Sequence, residues 1–150
     1  MVEKHIPITG GCLCGAVRYE STEPPVNGGY CHCRRCQKGS GGLFSAWVEF
    51  RPEGFRFTEG EPKLYRSSEW LQSGFCSTCG SPVVVIYDED PAPVIFIGTL
   101  DHPGDWPLAK EGWWGHSYVD SKVSWHVISD DMPQFAGNYP DIPEGQTEPT

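Results

Sequence analysis

The chain has no long apolar run, no sustained helical period and little positive charge. Its longest apolar stretch, Val83 to Tyr87, is far short of the roughly 20 residues a membrane-spanning helix needs. Lysine and arginine number 11 against 20 aspartates and glutamates, a formal charge of −9. That sign repels nucleic-acid backbones and anionic membrane surfaces, so neither is expected as a partner. Met1 to Pro7 lacks the apolar centre of a secretory leader, which makes the cytoplasm the expected compartment. Also missing are a phosphate-cradling glycine loop, a dinucleotide fingerprint and a serine-nucleophile elbow.

What the chain does have is alternation broken by turns. Its 150 residues suit one domain of modest core, and 18 Gly with 14 Pro make it turn-rich. Ala16 to Glu20 reads as a strand. In Leu43 to Phe50, Phe44, Ala46, Val48 and Phe50 share one face, and Phe55 and Phe57 alternate with Arg56 and Thr58. Val83 to Tyr87 and Val94 to Gly98 read as buried strands. Ser117 to Ile128 alternates less cleanly, with Trp125 and Val127 as its expected inward residues. Pro52-Glu53-Gly54, Glu59 to Pro62, Asp88 to Pro93 and Pro103-Gly104-Asp105 are turn signals. The fold class expected is all-β, with one helical turn near Arg34 to Lys38. The domain is expected over residues 1–136 and a Pro/Gly/acidic tail over 137–150, its last ten residues exposed.

Seven cysteines stand in three clusters: Cys12 and Cys14, then Cys31, Cys33 and Cys36, then Cys76 and Cys79. A disulfide framework would need an oxidising compartment and would leave one thiol over. Metal binding fits better. Cys76-Ser77-Thr78-Cys79-Gly80 has the form of a zinc knuckle, and Cys12-Leu13-Cys14-Gly15 is a tighter version. Together they supply four thiolates, enough to close a tetrahedral structural zinc site. The triplet in Cys31-His32-Cys33-Arg34-Arg35-Cys36 supplies three, leaving the open position typical of a catalytic zinc. A fourth ligand from His102, His116 or His126 would close it. His32 is a poor candidate, because in extended backbone it points away from both neighbouring cysteines.

An open zinc with three thiolates is a weak Lewis acid that suits an incoming soft sulfur ligand. Arg34, Arg35 and Lys38 crowd the triplet. They either offset its negative charge and bind a substrate carboxylate or are solvated surface charges. Asp101 and His102 are acid or base candidates, with a turn role more usual for such an Asp. Trp113 and Trp114 either wall a pocket or pack in a core.

The motifs G-G-C-L-C-G-A-V-R-Y at 10–19, C-H-C-R-R-C-Q-K at 31–38 and G-F-C-S-T-C-G-S at 74–81 resemble the glutathione-dependent formaldehyde-activating enzyme family, the CENP-V/GFA domain. G-T-L-D-H-P at 98–103 and W-H-V-I-S-D-D-M-P-Q-F at 125–135 are further echoes. The resemblance implies an Mss4-like, or β-tent, all-β fold stapled by two zinc ions. It implies Cys12, Cys14, Cys76 and Cys79 as structural ligands and Cys31, Cys33 and Cys36 as catalytic ones. It further implies carbon–sulfur lyase chemistry on a small thiol such as glutathione, with formaldehyde as its electrophile. His116 falls where family members often have a histidine, as a substrate contact or a core hydrogen-bonding group. The alternative function is a non-catalytic zinc module that binds a protein partner, and a third is a lyase or hydrolase for another sulfur compound.

Overall fold

The computed structural model describes residues 7–106 and 115–140. Trp113, Trp114 and the expected tail over the last ten residues lie outside them. In chain order the elements are β1 (Ile8–Gly11), β2 (Arg18–Ser21), β3 (Asn27–Cys31), α1 (Arg34–Ser40), β4 (Ser45–Glu49), β5 (Phe55–Glu59), β6 (Lys63–Arg66), β7 (Leu71–Phe75), β8 (Pro82–Tyr87), β9 (Asp90–Phe96) and β10 (His116–Ser117). Short 3-10 turns lie at Pro52–Gly54, Ile97–Thr99, Pro103–Asp105 and Val119–Ser121. The fold is mostly β, and α1 is the single α-helix among the described residues. The described residues group into two units, 7–27 with 47–106 and 28–46 with 115–140.

In the first unit, β1, β2 and β5 form an antiparallel sheet in that order. Its centre is Tyr19, which stacks on Phe55 at 5.3 Å and meets Phe57 edge-on at 6.5 Å. The phenol of Tyr19 reaches Thr99 Oγ1 at 2.7 Å, so the buried ring keeps its polar tip satisfied. Gly10 lies under that ring, where a Cβ would meet the phenol oxygen at 2.3 Å.

The same unit holds an antiparallel ladder of β4, β9, β8, β7 and β6. Register sets Val48 opposite Ile95, Ile95 opposite Val84 and Val84 opposite Gly74. Val48, Ile95 and Val84 form a fully buried cross-strand row, each side chain contributing roughly 1.5–3 kcal/mol. Gly74 has no room for more, since a Cβ would meet Val84 Cγ1 at 2.6 Å.

Two expectations need correcting here. The turn expected over Asp88 to Pro93 is shorter, because β9 begins at Asp90 and carries Pro91 and Pro93 within it. The β8–β9 register shifts between Val85 and Tyr87, and at such an irregularity a residue without an N–H is tolerated. The Pro93 carbonyl still serves, accepting from the Phe50 amide at 3.1 Å. At the other end β9 stops at Phe96, since Ile97–Thr99 turns as a 3-10 segment. β1, β3, β6 and β7 have no counterpart among the strands expected from the sequence.

In the second unit, β3 pairs in parallel with β10, His116 opposite Tyr30 and Ser117 opposite Cys31. The strand expected over Ser117 to Ile128 is cut to β10 alone. Tyr118 takes a left-handed backbone (φ 55°, ψ 42°) and feeds the 3-10 turn Val119–Ser121. Such a conformation ends a strand, so the later alternation never reaches a sheet, and Trp125 and Val127 are 72% and 77% exposed. Tyr139, beyond the boundary expected at residue 136, is buried, and its hydroxyl donates to the carbonyls of Tyr30 and Gly115.

Candidate metal centres

In the first unit two knuckles converge. One lies between β1 and β2 and carries Cys12 and Cys14; the other follows β7 and carries Cys76 and Cys79. The four sulfurs lie within 4.8 Å of one another. Cys12 and Cys14 Sγ are 3.6 Å apart, and Cys14 and Cys76 Sγ 3.7 Å. Sulfurs at the corners of a tetrahedron about 2.3 Å from a zinc are about 3.8 Å apart, so the donor set fits that ion.

The knuckles are built alike. In each, the glycine after the second cysteine has φ +80° and donates its amide to the carbonyl of the first. In each, a later amide points at the first sulfur, Val17 at Cys12 (3.2 Å) and Thr78 at Cys76 (3.4 Å). Ser81 joins the two. Its Oγ accepts from the Leu13 amide at 3.0 Å and lies 3.1 Å from the Cys79 sulfur. The Ser81 hydroxyl and amide hold the Cys79 thiol down to about 5. Cys14 is pushed up to about 11: the Ala16 amide favours its thiolate, but desolvation and the neighbouring sulfurs outweigh that. Four thiolates this close would repel, and a divalent cation is what would let all four ionise together.

The second unit holds the triplet. β3 ends at Cys31, and Cys33 caps α1, its backbone extended (φ −63°, ψ 155°) and its sulfur accepting from the Cys36 amide at 3.3 Å. The capping geometry explains the two-residue spacer, since the residue three after an N-cap turns back toward it. The three sulfurs lie within 4.8 Å of one another, and no histidine joins them at that distance among the described residues. Hydrogen bonds from Cys31 and then Cys36 hold Cys33 down to about 3, the contact with Cys33 pushes Cys31 up to about 12, and contacts with Cys31 and then Cys33 push Cys36 higher still. Again a cation is what would permit three thiolates together.

The flanking groups fall as follows. Arg34 donates to Gln37 Oε1. Gln37 is buried, and its Nε2 donates to the carbonyls of His32 (2.7 Å) and Ser121 (3.0 Å). Arg35 is half-buried, and Lys38 lies exposed in the last turn of α1. His32 is fully buried, its Nε2 2.9 Å from Nδ1 of His116. His116 Nε2 faces the Asp130 carboxylate at 3.0 and 3.2 Å. Burial, then the neighbouring His116, pushes His32 down to about 4, so its ring is neutral at pH 7. Both ring nitrogens of His116 are therefore engaged in the interior. In the first unit Asp101 is bound by both guanidinium nitrogens of Arg18 and by the Thr9 hydroxyl, and His102 is exposed. Ser81, Gln37 and Asp130 carry no assigned role among the sequence expectations, although each lies inside a quoted motif. Gln37 directly follows the last cysteine of its cluster and Ser81 stands two residues after Cys79, and that nearness is the available signal.

The model of the family described as glutathione-dependent formaldehyde-activating enzyme matches residues 7–116. No curated protein matches the chain. A solved structure of a Rhodobacter sphaeroides protein superposes with a TM-score of 0.53 at 23% identity, covering 73% of this chain and 99% of that one. At that identity the likeness speaks for the fold.

Proposed function

The chain belongs to the glutathione-dependent formaldehyde-activating enzyme family, and from that premise we propose that it is a zinc-dependent carbon–sulfur lyase. Its substrate is a small thiol, glutathione or a relative, and its partner reagent is formaldehyde or another small electrophile. The observation that carries this reading is the convergence of Cys31, Cys33 and Cys36 with no fourth ligand within 4.8 Å among the described residues. Zinc held there by three thiolates would supply a soft, open position at which a substrate thiol is bound in its deprotonated form. Cys12, Cys14, Cys76 and Cys79 would hold a second, structural zinc. Seven free thiols suit a reducing compartment, and we place the protein in the cytoplasm.

The chain's own residues have three tasks. Cys33 caps α1 and so keeps Cys36 on the side of Cys31. Gln37 clamps the His32 carbonyl and orients Arg34, and Arg34, Arg35 and Lys38, all on α1, would offer cationic groups to the carboxylates of a thiol such as glutathione. In the adduct-forming direction the substrate S–H bond breaks, a C–S bond forms to the aldehyde carbon, and the carbonyl oxygen takes a proton.

Adding glutathione to the cobalt-substituted protein should shift the sulfur-to-metal absorption. The zinc protein should speed the formation of S-hydroxymethylglutathione from carbon-13 formaldehyde, followed by NMR. Two bound metal ions with neither effect would favour the non-catalytic zinc module instead.

A further inference from the structure

Nearly every polar group of His32 is held. Its amide donates to the Ser117 carbonyl at 3.0 Å, its carbonyl accepts from Gln37 at 2.7 Å, and its Nε2 lies 2.9 Å from His116 Nδ1. Its Nδ1 is the exception, buried without a hydrogen-bond partner among the described residues. The chain continues from His116 to Asp130.

The order of that chain fixes its protons. A carboxylate accepts only, so His116 must present Nε2–H to Asp130. The buried His32 Nδ1 is less costly bare than as an N–H with nothing to donate to, which puts the His32 ring proton on Nε2, where His116 Nδ1 accepts it. The remaining His32 nitrogen, Nδ1, is an acceptor. Asp130 stays ionised: partial burial opposes this, but the Met132 amide and His116 outweigh it and hold the carboxyl below its usual range. The His116 ring is also locked by stacking on Tyr30, 4.7 Å between centroids and 18° from parallel.

His32 stands between Cys31, the last residue of β3, and Cys33, whose backbone is extended (φ −63°, ψ 155°). Successive side chains in extended backbone point to opposite sides. Anchoring the middle ring in the interior therefore turns both flanking sulfurs together the other way. We propose that Asp130 and His116 are positioning residues for the three-cysteine centre, holding His32 inward as its Nε2–H tautomer so that Cys31 and Cys33 face one point with Cys36. The inference rests on the reading of that triplet as a metal centre. It gives His116 a role one hydrogen bond from His32 and outside the ligand set, not one at the substrate.

Two measurements test it. In the zinc-loaded wild type, two-dimensional nitrogen-15 NMR of the imidazoles at pH 7 should show Nε2–H on both His32 and His116. An Nδ1–H tautomer on His32 overturns the proposal, and this readout needs no variant. Zinc release to a chromophoric chelator is then compared among wild type, His116→Phe and His116→Asn. Phenylalanine removes both hydrogen bonds, whereas the asparagine carbonyl stands near the Nδ1 position and can accept from His32. Outer partners of metal ligands typically set affinity by about 10- to 100-fold. His116→Phe should weaken one of the two zinc ions by that factor and leave the four-cysteine ion unchanged, and His116→Asn should recover most of the loss. Equal release from all three proteins overturns the positioning role. A wild type holding one zinc overturns the metal-centre reading itself, so the two failures are distinguishable.

Discussion

The Leu13 amide donates to Ser81 Oγ at 3.0 Å across 68 residues of chain, and that oxygen lies 3.1 Å from the Cys79 sulfur. One hydroxyl thus braces both halves of the four-cysteine site. Ser81→Ala should leave a partly exposed amide without its acceptor and a thiolate without its donor. The expected cost is about 1 kcal/mol of stability and about tenfold in affinity for the structural metal. Thermal melts and chelator competition check both, and an unchanged affinity would show that Ser81 only shapes the turn.

The two centres should fail differently. Cys14 and Cys76 are 62 residues apart, so a metal bound between them would close a long loop and its binding energy would be folding energy. Cys31 to Cys36 lies within one short segment. Cys76→Ser should abolish most near-ultraviolet dichroism and shift the melt by tens of degrees. Cys36→Ser should lose one zinc and the adduct-forming activity while keeping the tertiary spectrum. Loss of fold in both variants would contradict the division of labour.

What the sequence disclosed was local. The three cysteine clusters, the helical turn beginning at Arg34 and the strands around Val83 and Val94 all follow from neighbours within a few residues. What it hid was set by distant partners. His116 meets His32 across 84 residues, and Gln37 meets Ser121 across the same span. β6 is exposed along its whole length, and β7 carries Gly74 at a core position, so neither shows a clean alternation. Over 117–128 the alternation misleads, because one left-handed residue, Tyr118, overrides the propensity of all that follow.

Asp101 offers a pH test. The Arg18 guanidinium chiefly, helped by the Thr9 hydroxyl, holds its carboxyl below the usual range. The unfolded chain binds that proton more readily, so the pair's contribution is complete above the ordinary carboxylate pKa of about 4 and is lost as pH falls through the folded value. Both side chains are about one-third exposed, which limits the effect to roughly 0.5–1 kcal/mol. Asp101→Asn should lower the urea midpoint accordingly, by an equal amount at pH 8, 7 and 5. A gap that narrows between pH 7 and pH 5 would mean that the carboxyl is not held low.

Gly80 and Gly115 separate backbone strain from collision. Both have φ near +80°. Among the described residues nothing lies within 4 Å of where a Cβ on Gly80 would stand, whereas at Gly115 it would meet the Pro133 carbonyl oxygen at 2.2 Å. Gly80→Ala should therefore cost only the left-handed penalty of about 1–2 kcal/mol. Gly115→Ala adds the displacement of Pro133, whose carbonyl accepts the His116 amide at 2.8 Å. It should exceed the Gly80 cost by at least ~1 kcal/mol, as overpacking generally does. Because Gly115 directly precedes His116, the substitution should also loosen the metal at Cys31, Cys33 and Cys36, while Gly80→Ala loosens the metal at the other four cysteines. Denaturant melts paired with chelator release on the two variants read both effects, and equal stability losses would show that residues 115 and 133 yield to each other without strain.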